Sequence, residues 1–114
     1  MSLRDSILAS ADPALELREY PVLAWGLSVW LRGWTGTERD AFEREFGDLE
    51  KQRENLRAKV LVRCLLDAEG NRIFTDADAI ELGKKSAAAL DPLFAEVMRL
   101  SGLTRDTQEQ AKGN

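Results

Sequence analysis

The chain has 114 residues, with 16 Lys and Arg against 20 Asp and Glu, no histidine and one cysteine, for a formal charge of −4. One domain is all this length holds; the acidic balance argues against nucleic-acid binding, and so sparse a set of Cys and His assembles neither a zinc site nor a disulfide framework. With 44% hydrophobic and 32% charged residues, charges already at Arg4 and Asp5 and no long apolar stretch, the expectation is a globular cytoplasmic protein without signal peptide or membrane span.

Ser2-Leu3-Arg4-Asp5 has the form of a capping box that opens a short helix, with Leu3, Ile7 and Leu8 on one side and Pro13 closing it. From Leu15 the period switches to two: Leu15 and Leu17 alternate with Glu16 and Arg18, followed by Tyr20 and Pro21. Residues 26–32 alternate again, Leu27, Val29 and Leu31 against Ser28, Trp30 and Arg32. The two runs predict an antiparallel pair joined around residues 21–25. Two strands alone are marginal, so helices must cover their apolar face.

Thr35-Gly36-Thr37-Glu38 is a second capping box, heading a charged helix with Phe42, Phe46 and Leu49 at helical spacing and an end or bend at Gly47. Asn55 to Leu66 is the most apolar stretch, with Leu56, Val60, Leu61, Cys64 and Leu65 on one helical face. Its Val60 to Leu66 half also reads as a strand, since periodicity does not separate a buried strand from a buried helix; the helix formers Leu56-Arg57-Ala58-Lys59 favour helix. Asp67 to Asn71 is a turn, Arg72-Ile73-Phe74 a short extended piece, and Thr75 the cap of a helix that stops at Gly83. Between Ser86 and Leu100, Leu90, Leu93, Phe94, Val97 and Met98 form a helical stripe. Pro92 stands either at the first helical position behind an Asp91 cap or inside one kinked helix. Gly102 ends it, and a further turn after Thr104 is open to the polar tail. These elements predict an α+β fold, a mostly helical small domain over residues 1–103 with a short antiparallel hairpin near its N-terminus, and a C-terminal tail over 104–114.

No constellation of catalytic residues is present. Asp67-x-Glu69-x-Asn71 has a superficial likeness to a calcium loop, but the sixth position is Arg72 where glycine is needed and the twelfth is Asp78 where a bidentate Glu belongs. Asp76, Asp78 and Glu81 are the acidic first turn that a helix dipole favours, and Ser86 after Lys84-Lys85 reads as a cap. Cys64, without any imidazole to activate it, reads as a small core hydrophobe. The expectation is a non-enzymatic protein with no cofactor and no metal. What stands out is Trp25, Trp30 and Trp34 within ten residues, because tryptophan is costly to expose and common at interfaces. Trp30 reads as filler between hairpin and helices, and Trp34 as a staple on the Arg39 methylenes or Phe42. Leu90, Phe94 and Val97 are assigned to the core, leaving Trp25, Trp34, Leu93 and Met98 as candidate partner-binding residues.

The order of these features, above all Gly33-Trp34-Thr35-Gly36-Thr37-Glu38-Arg39-Asp40-Ala41-Phe42-Glu43, the Asn55 to Asp67 stretch, Gly70-Asn71-Arg72-Ile73-Phe74-Thr75-Asp76 and Leu82-Gly83-Lys84-Lys85-Ser86-Ala87-Ala88-Ala89-Leu90, resembles the tail assembly chaperones of long-tailed bacteriophages and prophages. The resemblance implies a small α+β protein that binds the tape measure protein, keeps that long apolar chain soluble, helps recruit the major tail protein in the host cytoplasm, and is absent from the finished virion. It leaves room for a homo-oligomer. It also implies a longer product made by a −1 ribosomal frameshift: Lys112-Gly113-Asn114 is encodable as AAG GGA AAC, which contains the slippery heptamer G GGA AAC. The rival reading is a structural virion component, such as a head-to-tail connector or tail-completion protein, which would remain in the particle.

Overall fold

The computed structural model describes residues 2–48, 51 and 53–102. The order is α1 (Leu3–Ala9), β1 (Arg18–Val22), β2 (Leu27–Leu31), α2 (Gly36–Phe46), α3 (Leu56–Cys64), α4 (Ala79–Leu82) and α5 (Ala87–Leu100), with 3₁₀ turns at Pro13–Leu15, Leu23–Trp25 and Asp76–Asp78. This is the expected α+β arrangement, a small helical domain with one antiparallel hairpin. Leu49, assigned above to the α2 stripe, and the tail from Leu103 onward lie outside the described residues.

The hairpin pairs Arg18 with Leu31, Tyr20 with Val29 and Val22 with Leu27, so these six share one face. Val22, Val29 and Leu31 on that face are buried, whereas Leu27 at the far end is 54% exposed. Trp30 falls on the opposite face with Glu19 and Ser28, whose hydroxyl donates to the Glu19 carboxylate at 2.8 Å. The expectation that Trp30 fills the gap between hairpin and helices is therefore corrected. Trp25 and Trp34 are the tryptophans packed against the core.

Trp30 uses its outward N–H and C=O on Leu66, at 2.9 and 3.0 Å. Leu66 also bridges Arg72, which extends the sheet by single residues on the β2 side. Since Trp30 turns its backbone away from β1, so does its cross-strand neighbour Glu19, and two residues along Pro21 turns its nitrogen to the outer edge. A proline there costs no ladder bond and leaves the edge short of donors.

Both readings of residues 55–66 are realised in part. The helix runs through Cys64; Leu65 then turns extended with ψ 127° and Leu66 enters the sheet. Val60, Leu61, Val62 and Leu65 are almost wholly enclosed, and with Leu90, Leu93 and Val97 of α5 they form the centre of the core. Each such side chain contributes about 1.5–3 kcal/mol by leaving water. Asn55 starts α3 in a left-handed conformation, φ 58°, and its amide donates to the Ala79 carbonyl at 2.9 Å. A Cβ on Gly83 would stand 2.2 Å from the Asn55 side-chain oxygen, so the glycine that ends α4, at an ordinary φ of −63°, is there for that close approach.

α5 is one continuous helix capped by Ser86, whose hydroxyl accepts from the Ala89 N–H, with Pro92 inside it. The bond Pro92 forgoes would have ended on the Ala88 carbonyl, and Ala88 lies on the exposed side of the helix. Asp91 is no cap; it pairs with Arg57 and ties α5 to α3. Gly102, at φ 79°, closes the helix as expected. Gly33 is buried where a Cβ would lie 2.5 Å from the Ala14 carbonyl and 2.8 Å from that of Leu100, so chain start, hairpin and end of α5 meet at a point that admits no side chain.

α1 departs from this packing. Ser2 caps it by accepting from the Asp5 N–H, but Asp5 bonds Arg4 and does not complete a box. The helix ends at Ser10, and Pro13 begins the following 3₁₀ turn, so it opens the next element and does not close the helix. Every residue from Ser2 to Ala14 is exposed, Leu3, Ile7 and Leu8 among them.

Candidate partner-binding surfaces

Two of the concavities among the described residues carry aromatic or apolar linings. The first, of about 200 Å³, lies between α2 and α3. Its wall is an aromatic ladder: the Trp34 and Phe42 ring centres are 4.7 Å apart, and those of Phe42 and Phe46 5.0 Å. The Trp34 staple thus lands on Phe42. Thr35 and Glu38 complete the expected capping box at 3.1 and 2.8 Å, and this sets Trp34 at the mouth of the helix.

The charges around this cavity satisfy one another. Arg32 grips Glu38 through two bonds of 2.8 Å, and that contact, helped by the Thr35 N–H, holds the Glu38 carboxyl down at about 2. Arg63 lies 5.4 Å over the Phe46 ring and pairs with both Glu45 and Asp76. Arg72 donates to the Val62 carbonyl and to Asp76, whose carboxyl it and Arg63 keep below the usual range. At the inner wall, burial pushes the Cys64 thiol up to about 12, so it stays protonated at neutral pH and is a poor nucleophile, as its apolar surroundings suggested.

The second concavity is an apolar cleft between the hairpin end and α4, lined by Trp25, Leu27, Ile73, Phe74 and Leu82. Glu81, Lys84 and Lys85 stand on its rim, with Lys84 paired to Glu81 at 3.0 Å. Its lining is reachable: Leu27 is 54% and Ile73 44% exposed. Leu23, in the same turn as Trp25, and Ile80, in the same helix as Leu82, are exposed further still. α4 is only four residues long, and at the hairpin end Val22 is buried while its partner Leu27 is left exposed beside the cleft.

Of the expected contact residues, Trp25 lines the cleft and Trp34 the aromatic cavity. Met98 is half-buried against the core. Leu93 is corrected: it has 0% exposure, because the helix turns it toward α3, and it offers no surface. Leu27, Ile73, Phe74, Lys84 and Lys85 were not anticipated as surface; the apolar pair Ile73-Phe74 directly after a turn was the available signal. Among the described residues no group of His, Cys, Asp and Glu is arranged to hold a metal, and Asp67 accepts from the Glu69 and Asn71 N–H groups as an ordinary turn residue. No described helix is long and apolar enough to cross a membrane.

One concavity is thus walled by aromatic rings and the other is an open apolar surface. No curated protein and no solved structure matches the chain. Residues 11–113, which take in every element except α1, match the phage tail assembly chaperones, and the chain belongs to that family.

Proposed function

We propose that this chaperone binds the tape measure protein during tail assembly, helps recruit the major tail protein, acts without catalysis in the host cytoplasm and is left out of the finished particle. The observation that supports this reading is the Trp25 cleft, an open apolar trough: among the described residues, the exposed large hydrophobics lie either on α1 or in and beside this cleft. An amphipathic helix laid into such a trough contributes by burying apolar area, and the lysines on the rim favour carboxylates beside its apolar stripe. Trp34 and Met98 are the further contacts, and Leu93 contributes only by holding α5 in place.

The reading includes self-association of the chaperone and a longer −1 frameshift product. Co-expression of tagged chaperone with tape measure protein is expected to keep the latter soluble and retain it on the affinity matrix, and Trp25→Ala is expected to cut recovery severalfold. A tape measure protein that stays soluble alone and passes through unretained overturns the reading. Mass spectrometry of purified particles separates it from the virion-component alternative, which requires stoichiometric presence. Sequencing the gene through the Lys112, Gly113 and Asn114 codons tests the frameshift.

A further inference from the structure

The large hydrophobics left exposed among the described residues fall into two groups: Leu3, Ile7 and Leu8 on α1, and Leu23, Leu27, Ile73 and Ile80 on elements that form the Trp25 cleft. One group is a helix without a groove, the other a groove without a helix. α1 is about 10 Å long. The charges of the two groups match. α1 carries Arg4 and Asp5, whose side chains pair at 2.9 Å, and the cleft is lined by Glu81 and Lys84, paired at 3.0 Å, and by Lys85. All five are exposed, so exchanging partners, Arg4 to Glu81 and Asp5 to Lys84 or Lys85, forfeits little.

We infer that α1 of one copy seats in the Trp25 cleft of a second copy, reciprocally, so that two chains exchange N-terminal helices and cover each other's apolar surface. This rests on the self-association part of the proposed function and is independent of tape measure binding. A two-fold arrangement uses both helices and both clefts and closes without leaving an unmatched surface. Three large side chains per helix, used twice, put the buried area near the low end of stable interfaces, roughly 1,200 Å², so the dimer is a weak one that a client competing for the cleft displaces. In that arrangement the exchange is a cover over the client surface, removed by the client itself.

The test is sedimentation velocity of the full chain, from micromolar to near-millimolar concentration, with Ile7→Asp and Ile73→Asp variants. The wild type is expected to move from monomer to dimer, and each variant to need at least about tenfold higher concentration for the same dimer fraction. An equimolar mixture of the two variants is expected to dimerise better than either alone, because the Ile73→Asp helix is intact and so is the Ile7→Asp cleft. Ile7 touches no core, so its variant stays folded and decides the matter alone should Ile73→Asp unfold. A wild type that stays monomeric overturns the inference together with self-association and leaves the cleft to the tape measure protein. A dimer that survives Ile7→Asp overturns the exchange and leaves self-association standing. Retention of tape measure protein, measured separately, reports on neither arm.

Discussion

The seam between α3 and α5 and the α1 helix are made from similar residues and end in opposite circumstances. Leu61, Leu65 and Leu93 in the seam have no exposed surface, while Leu3, Ile7 and Leu8 on α1 are 76%, 61% and 70% exposed. Hydrophobicity decides what a side chain gains by burial; whether it is buried depends on a second surface being within reach. α3 meets α5, α4 and the Asp76–Asp78 turn, but α1 is held away by the exposed Ser10–Asp12 link and the 3₁₀ turn that Pro13 opens.

That contrast breaks most visibly at the centre of the seam. Leu61→Ala is expected to cost about 4 kcal/mol, because the cavity it leaves is enclosed and cannot collapse, and urea unfolding would show the midpoint fall. Gly33→Ala is expected to cost about 2–3 kcal/mol, since its Cβ meets two backbone carbonyls that cannot rotate aside, with a lower melting temperature as the readout. Phe94, half-buried against the core with Arg57 5.8 Å from its ring centre, is intermediate; Phe94→Ala is expected to lose about 2 kcal/mol, where full burial would mean about 3 or more.

Glu38→Gln keeps an acceptor for the Thr35 N–H but removes the charge that Arg32 grips, at a contact partly in water, and is expected to cost about 1 kcal/mol at neutral pH. Its pH dependence carries a definite sign. The folded carboxyl sits at about 2 against an ordinary 4.5, so the stabilisation is complete above 4.5 and fades as pH falls from there toward 2. Wild type and Glu38→Gln are expected to differ in chemical denaturation at pH 6 and to converge near the acid end. At the far end of the scale, Ile7→Ser on α1 is expected to change monomer stability by less than about 0.5 kcal/mol, and a larger loss at low concentration would mean that α1 is packed after all.

Much of the fold was legible from local chemistry. The Thr35 box, the Ser86 cap, the register face of Leu27, Val29 and Leu31 and the Gly102 stop all depend on neighbours a few residues apart, which a sequence displays. Pro92 was left between two readings because the choice depends on whether Asp91 is free to cap, and Arg57 claims it from another helix. Trp30, Leu93 and the reach of Pro13 were misassigned for a related reason: a periodic pattern names a face but not what lies opposite that face. The cleft was the least legible part, because it exists through what is missing, a longer α4 or a layer over Leu27 and Ile73.

Pro21 bears on how a chaperone that binds an apolar client, as proposed above, would do so without harm to itself. The outer rim of β1 presents the peptide groups of Glu19 and Pro21, and the second has no hydrogen to give. A sticky extended segment approaching that rim finds no continuous register to copy, so it cannot be stitched on as a third strand and then a fourth. If the proposed function holds, contact with an apolar client would fall to side chains, and the hairpin would offer such a client a poor template for strand addition.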